Sequence, residues 1–287
     1  MRKKIGVLFH EKDRDRVEFY VISSLAEYWR EEGYEVIFIF GVNQYYPVDL
    51  ILVHVDLSIV PDEYLEFAHR YPIVLNGHVR DIRKSTFSQN LVQPGDSYTG
   101  KVIVKTDLNY AGRPEQIAPP SRTPFQSGIL KWLISRLHFE PEHHLPHFES
   151  PHDYQVYETL HDVPEIFFTS NQFVVEKFLP EMEDDLFFVR YLGFLGDRTN
   201  AVRLGGKSPI VNGQTQIVRE IIEPHPEIVG LRRKLKFDFG KFDYVLHDGQ
   251  PILFDTNKTI GSARVPFPPS IAARWRFIAG GINSYFS

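Results

Sequence analysis

Residues 240–259, GKFDYVLHDGQPILFDTNKT, constrain this chain more than any other stretch. Two short apolar runs, FDYVL and PILFD, flank the turn His-Asp-Gly-Gln. Asp-Gly between β-rich runs is a strong short-range hairpin signal. The pairing carries Asp243 and Asp255 toward one end of the hairpin. Side chains two apart in a strand share a face, so Asp255 and Asn257 can serve one ligand. Two carboxylates and an amide oxygen form a hard, all-oxygen donor set, suited to Mg²⁺ carrying phosphates rather than to zinc. The plain alternative is a surface hairpin with solvated acids.

Around that hairpin lies a chain of 287 residues, 43% hydrophobic and 14% aromatic, enough to bury a sizeable core in two or three subdomains. Its formal net charge of −5 supplies no basic field, so nucleic acid is not the expected partner. Cysteine is absent, which excludes disulfides, thiolate zinc sites and a cysteine nucleophile, and is compatible with a reducing cytoplasm. The apolar run at residues 5–9 is too short for a signal-peptide core, and no run approaches a membrane span. A cytoplasmic protein without a membrane partner is expected.

Residues 4–77 alternate strands and helices. Strands are expected at 4–9, 34–40, 50–55 and 72–75. A helix at 15–32 would place Val17, Val21, Leu25 and Tyr28 on one face and stop at Gly33. Pro61 opens a second helix. Continuous apolar strands between helices imply a small parallel sheet covered on both faces. A helix at 81–92 and the strand KVIVKT, residues 101–106, follow. Residues 113–162 are rich in proline and histidine, with an amphipathic helix at 125–137, and read as an insertion or lid. Six of the twelve histidines fall at 138–161. Their irregular, proline-broken spacing favours a solvated loop over a metal site. The second half is strand-rich, with FFVRYLGF at 187–194, a helix near 226–236 and a last helix at 270–279.

Three motifs stand in order: KVIVKT ending near Lys105, FVVEKFLPE at 173–181, and the carboxylate hairpin. Together they resemble the ATP-grasp superfamily of ATP-dependent carboxylate–amine ligases. The resemblance implies an α/β fold, α+β in its second half, with a small N-terminal doubly wound parallel domain. It implies units at 1–80, at 81–175 with the lid at 113–162, and at 176–287 with the metal hairpin. It also implies Mg²⁺ (or Mn²⁺) held by Asp243, Asp255 and Asn257, and ATP phosphates contacted by Lys105 and the earlier Lys84. The hinge backbone at Lys177, Phe178 and Leu179 would read adenine, with Glu176 taking its amine and Glu181 or Glu183 the ribose hydroxyls. Arg190 and Lys241 would contact transferring phosphate, and Arg264 a substrate carboxylate. Where the family often has a glycine-rich loop, residues 106–112 read TDLNYAG with one glycine.

Simpler readings stand beside these: an edge charge for Lys105, an exposed helical lysine for Lys84, a structural carboxylate partner for Arg190. The expected function is a ligase joining a small-molecule or peptide carboxylate to an amine through an acyl-phosphate. A kinase on the same nucleotide site and a non-catalytic nucleotide-binding protein are the alternatives. No G-x-S-x-G elbow, Walker A motif or G-x-G-x-x-G turn occurs.

Overall fold

The computed structural model describes residues 2–118, 146–262 and 267–286. Strands β1 (Lys4–Phe9), β2 (Glu35–Phe40), β3 (Leu50–Val53) and β4 (Ile73–Leu75) form a parallel sheet in the order β2-β1-β3-β4. Its central strands are apolar throughout, as a sheet buried on both faces requires. Helix α1 (Val21–Glu31) is shorter than its periodicity suggests. Residues Glu11–Phe19 are 3₁₀, and Tyr20 is extended, bridging to Gly261 and bonding Asp56 Oδ2 through its hydroxyl at 2.8 Å. Those tertiary contacts override local helical preference. Helix α2 is Asp62–Ala68, with Pro61 at its N-cap.

The helix expected at 81–92 shrinks to one turn, α3 (Lys84–Phe87). Asp107 accepts hydrogen bonds from both the backbone N–H and the hydroxyl of Ser85, each at 2.8 Å. Past Ser88 the chain runs extended beside a strand of the next sheet, giving Val92 N–H to Val175 O and taking Lys177 N–H on Asn90 O. That sheet is antiparallel, in the order β6-β5-β7, from β5 (Val102–Thr106), β6 (Gln155–Tyr157) and β7 (Phe173–Lys177). Helices α4 (Arg113–Ile117) and α5 (Ile166–Thr169) accompany it. Residues 146–162, expected within a lid, instead belong to its body: β6 pairs with β5, and Phe148 and Leu160 are buried against Val104 and Phe173. The helix expected at 125–137 and His138, His143 and His144 lie outside the described residues.

A six-stranded antiparallel sheet completes the fold. Strands β8 (Glu181–Glu183), β9 (Leu186–Leu195), β10 (Arg198–Gly206), β11 (Val218–Ile222), β12 (Phe239–His247) and β13 (Gln250–Asn257) run β11-β10-β9-β12-β13, with β8 on β9. Helices α6 (Pro226–Lys234) and α7 (Pro269–Ala279) fall where expected. Two contacts tie the N-terminal layer to this half: Asn76, after β4, to the start of β12, and Trp29 on α1 to the end of α7. The buried Asn76 side chain accepts from the N–H groups of Asp238 and Phe239 and donates to Phe239 O, at 2.9, 3.1 and 2.9 Å. The Trp29 indole donates to Ala279 O at 2.9 Å. Among the described residues no helix is long and apolar enough to cross a membrane.

Candidate active site

The hairpin forms with Asp248 and Gly249 both at positive φ, 51° and 78°, the turn that matches strand twist. Counting back from that turn, His247 faces Gln250 and Leu246 faces Pro251. Continued unbroken, this register would set Asp243 opposite Phe254 and turn Asp255 to the other face. A bulge between Asp243 and Tyr244 shifts it by one residue, so that Asp243 faces Asp255 and Lys241 faces Asn257. All four side chains thereby lie on one face of the sheet. At the root of the hairpin a Cβ on Gly240 would run into Asn257 O, so only glycine allows this approach.

The carboxylates are incompletely answered. Lys241 Nζ lies 2.9 Å from Asp243 Oδ2 and 4.1 Å from the centre of the Tyr191 ring. Lys84 Nζ, almost fully buried, lies 3.9 Å from Asp255 Oδ1 and donates to Leu108 O at 3.2 Å. Asp243 Oδ1 and Asp255 Oδ1 have no hydrogen-bond partner. Burial pushes the Asp243 carboxyl above its ordinary value; Lys241 opposes the rise and Asp255 adds to it. Burial acts to lower the Lys84 ammonium, but Tyr154, Asp255, Glu176 and Asp107 outweigh it and hold it above the ordinary lysine value.

Lys105 sits on β5 in a buried ion pair with Glu176 on β7, Nζ to Oε2 2.6 Å, and 5.0 Å from the Phe254 ring centre. The second Glu176 oxygen has no partner. Helix α3 thus supplies Lys84, and the central sheet Lys105 and Glu176, on the side of the large sheet that carries Asp243, Asp255, Lys241 and Tyr191. Asn257 shares that face, but its Oδ1 accepts from the Thr259 N–H at 2.8 Å and Thr259 Oγ1 at 3.3 Å. Among the described residues no cluster of three or more His, Cys, Asp or Glu side chains could hold a metal. A cation here would rest on the carboxylate pair and on oxygens brought by a ligand. The two unanswered, buried Asp oxygens fit a hard cation.

In the hinge, β7 ends at Lys177 and Pro180 precedes β8. The Lys177 N–H bonds Asn90 O and the Phe178 N–H bonds Lys101 O, both at 2.8 Å. Of the three residues expected to read adenine, two therefore have their donors engaged. Leu179 keeps its N–H without a backbone partner among the described residues.

Arg190 and Glu181 do not join the carboxylate pair. Arg190 faces Tyr244 and Arg203 across its neighbouring strands, whereas Tyr191 faces Asp243, so alternation puts Arg190 on the opposite face of the sheet. There Glu181 accepts from Arg190 Nε and Nη2 at 2.8 Å each, from Arg203 Nε at 2.7 Å and from Leu246 N–H at 2.8 Å. Burial would raise the Glu181 carboxyl, yet these donors hold it below the ordinary range. Glu183 is exposed and bonds Arg203 Nη2 at 2.6 Å. Arg190 has found a structural carboxylate. Arg264 lies outside the described residues.

Sequence reasoning missed Tyr191 and Phe254, whose rings lie beneath the ammonium groups of Lys241 and Lys105. Alternation about Arg190 could have found the first; only the bulge explains the second. It also missed Lys258, fully buried and donating to Leu57 O at 2.5 Å, whose ammonium burial lowers to about 8.

No protein-family model matches the sequence, and no curated protein matches it. Solved structures do match over their full length. The D-cycloserine synthetase DcsG is 11% identical with a TM-score of 0.51, covering 99% of this chain and 100% of its own. A RimK domain protein ATP-grasp from Sphaerobacter thermophilus DSM 20745 is 13% identical with a TM-score of 0.49, covering 99% and 100%. The D-alanine–D-alanine ligase from Bacillus anthracis complexed with ATP is 14% identical with a TM-score of 0.48, covering 99% and 97%. From the parallel sheet through the carboxylate hairpin, this chain has the ATP-grasp fold.

Proposed function

We propose that this protein is an Mg·ATP-dependent ligase that joins a carboxylate to an amine through an acyl-phosphate. The observation that carries the reading is the bulged hairpin. It turns Asp243 and Asp255 to one face, buries an unanswered oxygen on each, and sets them beneath Lys84, Lys105 and Lys241. Close, buried carboxylates are unfavourable unless a cation lies between them. In this reading Asp243 and Asp255 hold Mg²⁺, with Asn257 beside them, and the metal when bound neutralises triphosphate charge. Lys84 and Lys105 serve as point charges for phosphate oxygens. Leu179 N–H supplies the adenine contact, and Lys241, already beside Asp243, steadies charge on the transferring phosphoryl group. Arg190, Glu181 and Glu183 have no place in this site. The units at 1–80, 81–175 and 176–287 are proposed to close on the nucleotide and keep water from the acyl-phosphate.

Thermal unfolding with and without Mg·ATP tests the nucleotide part. Millimolar Mg·ATP is expected to raise Tm, and EDTA to remove most of the gain, since a ligand that binds only the native state stabilises it. An unchanged Tm would remove the reading's main support. Product analysis over a panel of carboxylates and amines tests the chemistry: ADP, free phosphate and an amide for a ligase, ADP and a phosphorylated acceptor for a kinase.

A further inference from the structure

Three consecutive residues after β5 adopt left-handed backbone: Tyr110 at φ 45°, Ala111 at φ 56° and Gly112 at φ 73°. Only the last is glycine, so the turn holds two side chains in a region they rarely occupy. Such a turn persists only where its surroundings over-determine it. Lys84 Nζ and Thr106 Oγ1 both donate to Leu108 O ahead of the turn, and one serine holds the turn at both of its ends. Ser58, which is 1% exposed, accepts the Asn109 N–H on its hydroxyl at 2.8 Å, just before the strained residues. Its own N–H donates to Glu115 Oε1 at 2.6 Å, just after them. Its carbonyl accepts from Ile82 N–H at 2.9 Å, which fixes the serine itself.

The two residues before Ser58 hold the two residues that follow β13. Leu57 O accepts from Lys258 Nζ at 2.5 Å, and Asp56 Oδ1 accepts from Thr259 Oγ1 at 2.5 Å. Thr259 in turn donates its N–H to Asn257 Oδ1 at 2.8 Å. Residues 56–58, beyond the end of β3, therefore tie the turn at 109–115 to the end of the carboxylate strand β13. We infer that Asp56, Leu57 and Ser58 form a clasp that sets the turn at 109–115 against the Asp243–Asp255 pair, with Ser58 and Lys258 as its positioning residues. This rests on the nucleotide reading above and deepens it. A turn with too few glycines to be shaped by its own sequence is shaped by a neighbour, and its backbone is held in place before any nucleotide binds. Ser58 and Lys258 act through the turn and the end of β13, by the bonds they make to Asn109, Glu115 and Leu57.

The test uses the full chain. Amide hydrogen exchange of residues 107–115 is measured without nucleotide, and affinity for a non-hydrolysable Mg·ATP analogue by calorimetry. In Ser58→Ala, protection of the Asn109 amide is expected to fall at least tenfold and Kd to rise roughly tenfold, with far-UV dichroism unchanged. Ser58→Thr keeps the hydroxyl and is expected to restore both. Lys258→Met is expected to weaken analogue binding from the strand side; should it fail to fold, Ser58→Ala still decides. Unchanged Asn109 protection in Ser58→Ala overturns the clasp, as does lost protection with a wild-type Kd. A wild-type protein that binds no analogue, while Asn109 protection still depends on Ser58, overturns the nucleotide reading and leaves the serine with a structural role only.

Discussion

The six-stranded sheet carries a charged cluster on each face, and the two are built on opposite principles. On one face Glu181 is saturated, receiving two arginines and a backbone N–H. On the other, Asp243 and Asp255 each keep a buried oxygen without a partner, although Lys241 and Lys84 stand beside them. Residues 190 and 191 are adjacent in sequence yet serve different clusters, because a strand sends neighbours to opposite faces. A network that satisfies itself has no need of a ligand and holds β8 to β9 and β12. One that leaves buried charge unanswered carries a cost that an incoming counter-charge would relieve. The difference separates a structural ion cluster from the proposed binding site without reference to residue type, since both are made of the same acids and bases.

Exchanging charge in the two clusters should break this symmetry. The largest effect is expected from Asp255→Asn, which should abolish Mg²⁺-dependent nucleotide stabilisation and any turnover while leaving the metal-free Tm equal to or above that of the wild type. Removing one of two facing carboxylates relieves repulsion in the empty site and removes an anionic oxygen that Mg²⁺ favours. A mutant that unfolds would mark Asp255 as structural; one that keeps its Mg·ATP response would sink the metal site. Glu181→Gln should do the reverse. It leaves Arg190 and Arg203 without their carboxylate, a loss of about 3 kcal/mol, read by denaturant titration. Nucleotide affinity of the folded fraction should stay near that of the wild type. Loss of affinity without loss of stability would place Glu181 back at the ribose.

Unanswered atoms alone do not make a site, and His54 sharpens the point. Both its ring nitrogens lack partners, but it is fully buried against Phe9, Tyr20 and Phe239 in the core. Burial lowers its pKa from 6.5 to about 3, so it sits neutral in the fold. The unfolded chain takes up a proton below pH 6.5 and the native one only near pH 3. Stability from this group is therefore complete above pH 6.5 and lost as pH falls toward 3, on the order of 5 kcal/mol. His54→Leu should flatten that acid limb in denaturant titrations between pH 4 and 7 without changing nucleotide binding. An acid limb as steep as that of the wild type would mean His54 is solvated in the native state.

Much of this was legible in the sequence, for identifiable reasons. The parallel sheet, the β5 strand, the hairpin and the closing helices follow from apolar periodicity and turn chemistry, which are local. What was not legible depends on contacts distant in sequence. The helix at 81–92 yields to Asp107 capturing Ser85, and residues 146–162 join the central sheet because β6 pairs with β5. Arg190 was placed with the phosphates because its partner Glu181 is brought to it from another strand, on the face turned away from the carboxylate pair. The carboxylate pair was expected to converge, yet turn register alone would have parted it. The bulge that unites it leaves no mark in the sequence of PILFD, where Phe254 reads as one more apolar strand residue.

The smallest expected effect falls at the hinge, where the motif places a lysine next to a glutamate that matters. Glu176 is buried and paired with Lys105, whereas the Lys177 ammonium rests 5.2 Å from the Tyr98 ring centre, away from the carboxylate face. The Lys177 backbone N–H is held by Asn90 whatever the side chain. Lys177→Ala thus removes a cation–π contact of roughly 0.5–1 kcal/mol and little else. Nucleotide affinity should change by no more than about fivefold, the equivalent of that contact energy. Lys105→Ala should be far more damaging, because it strips the charge proposed to meet the phosphates and leaves Glu176 buried without its cation. Measuring both Kd values for the same Mg·ATP analogue decides the matter. Equal losses would mean that the hinge acts through its side chain, or that β5 does not face the phosphates. A loss confined to Lys105 would place this pair under the rule that separates the two faces of the large sheet: the residue that counts is the one whose charge has no escape to water.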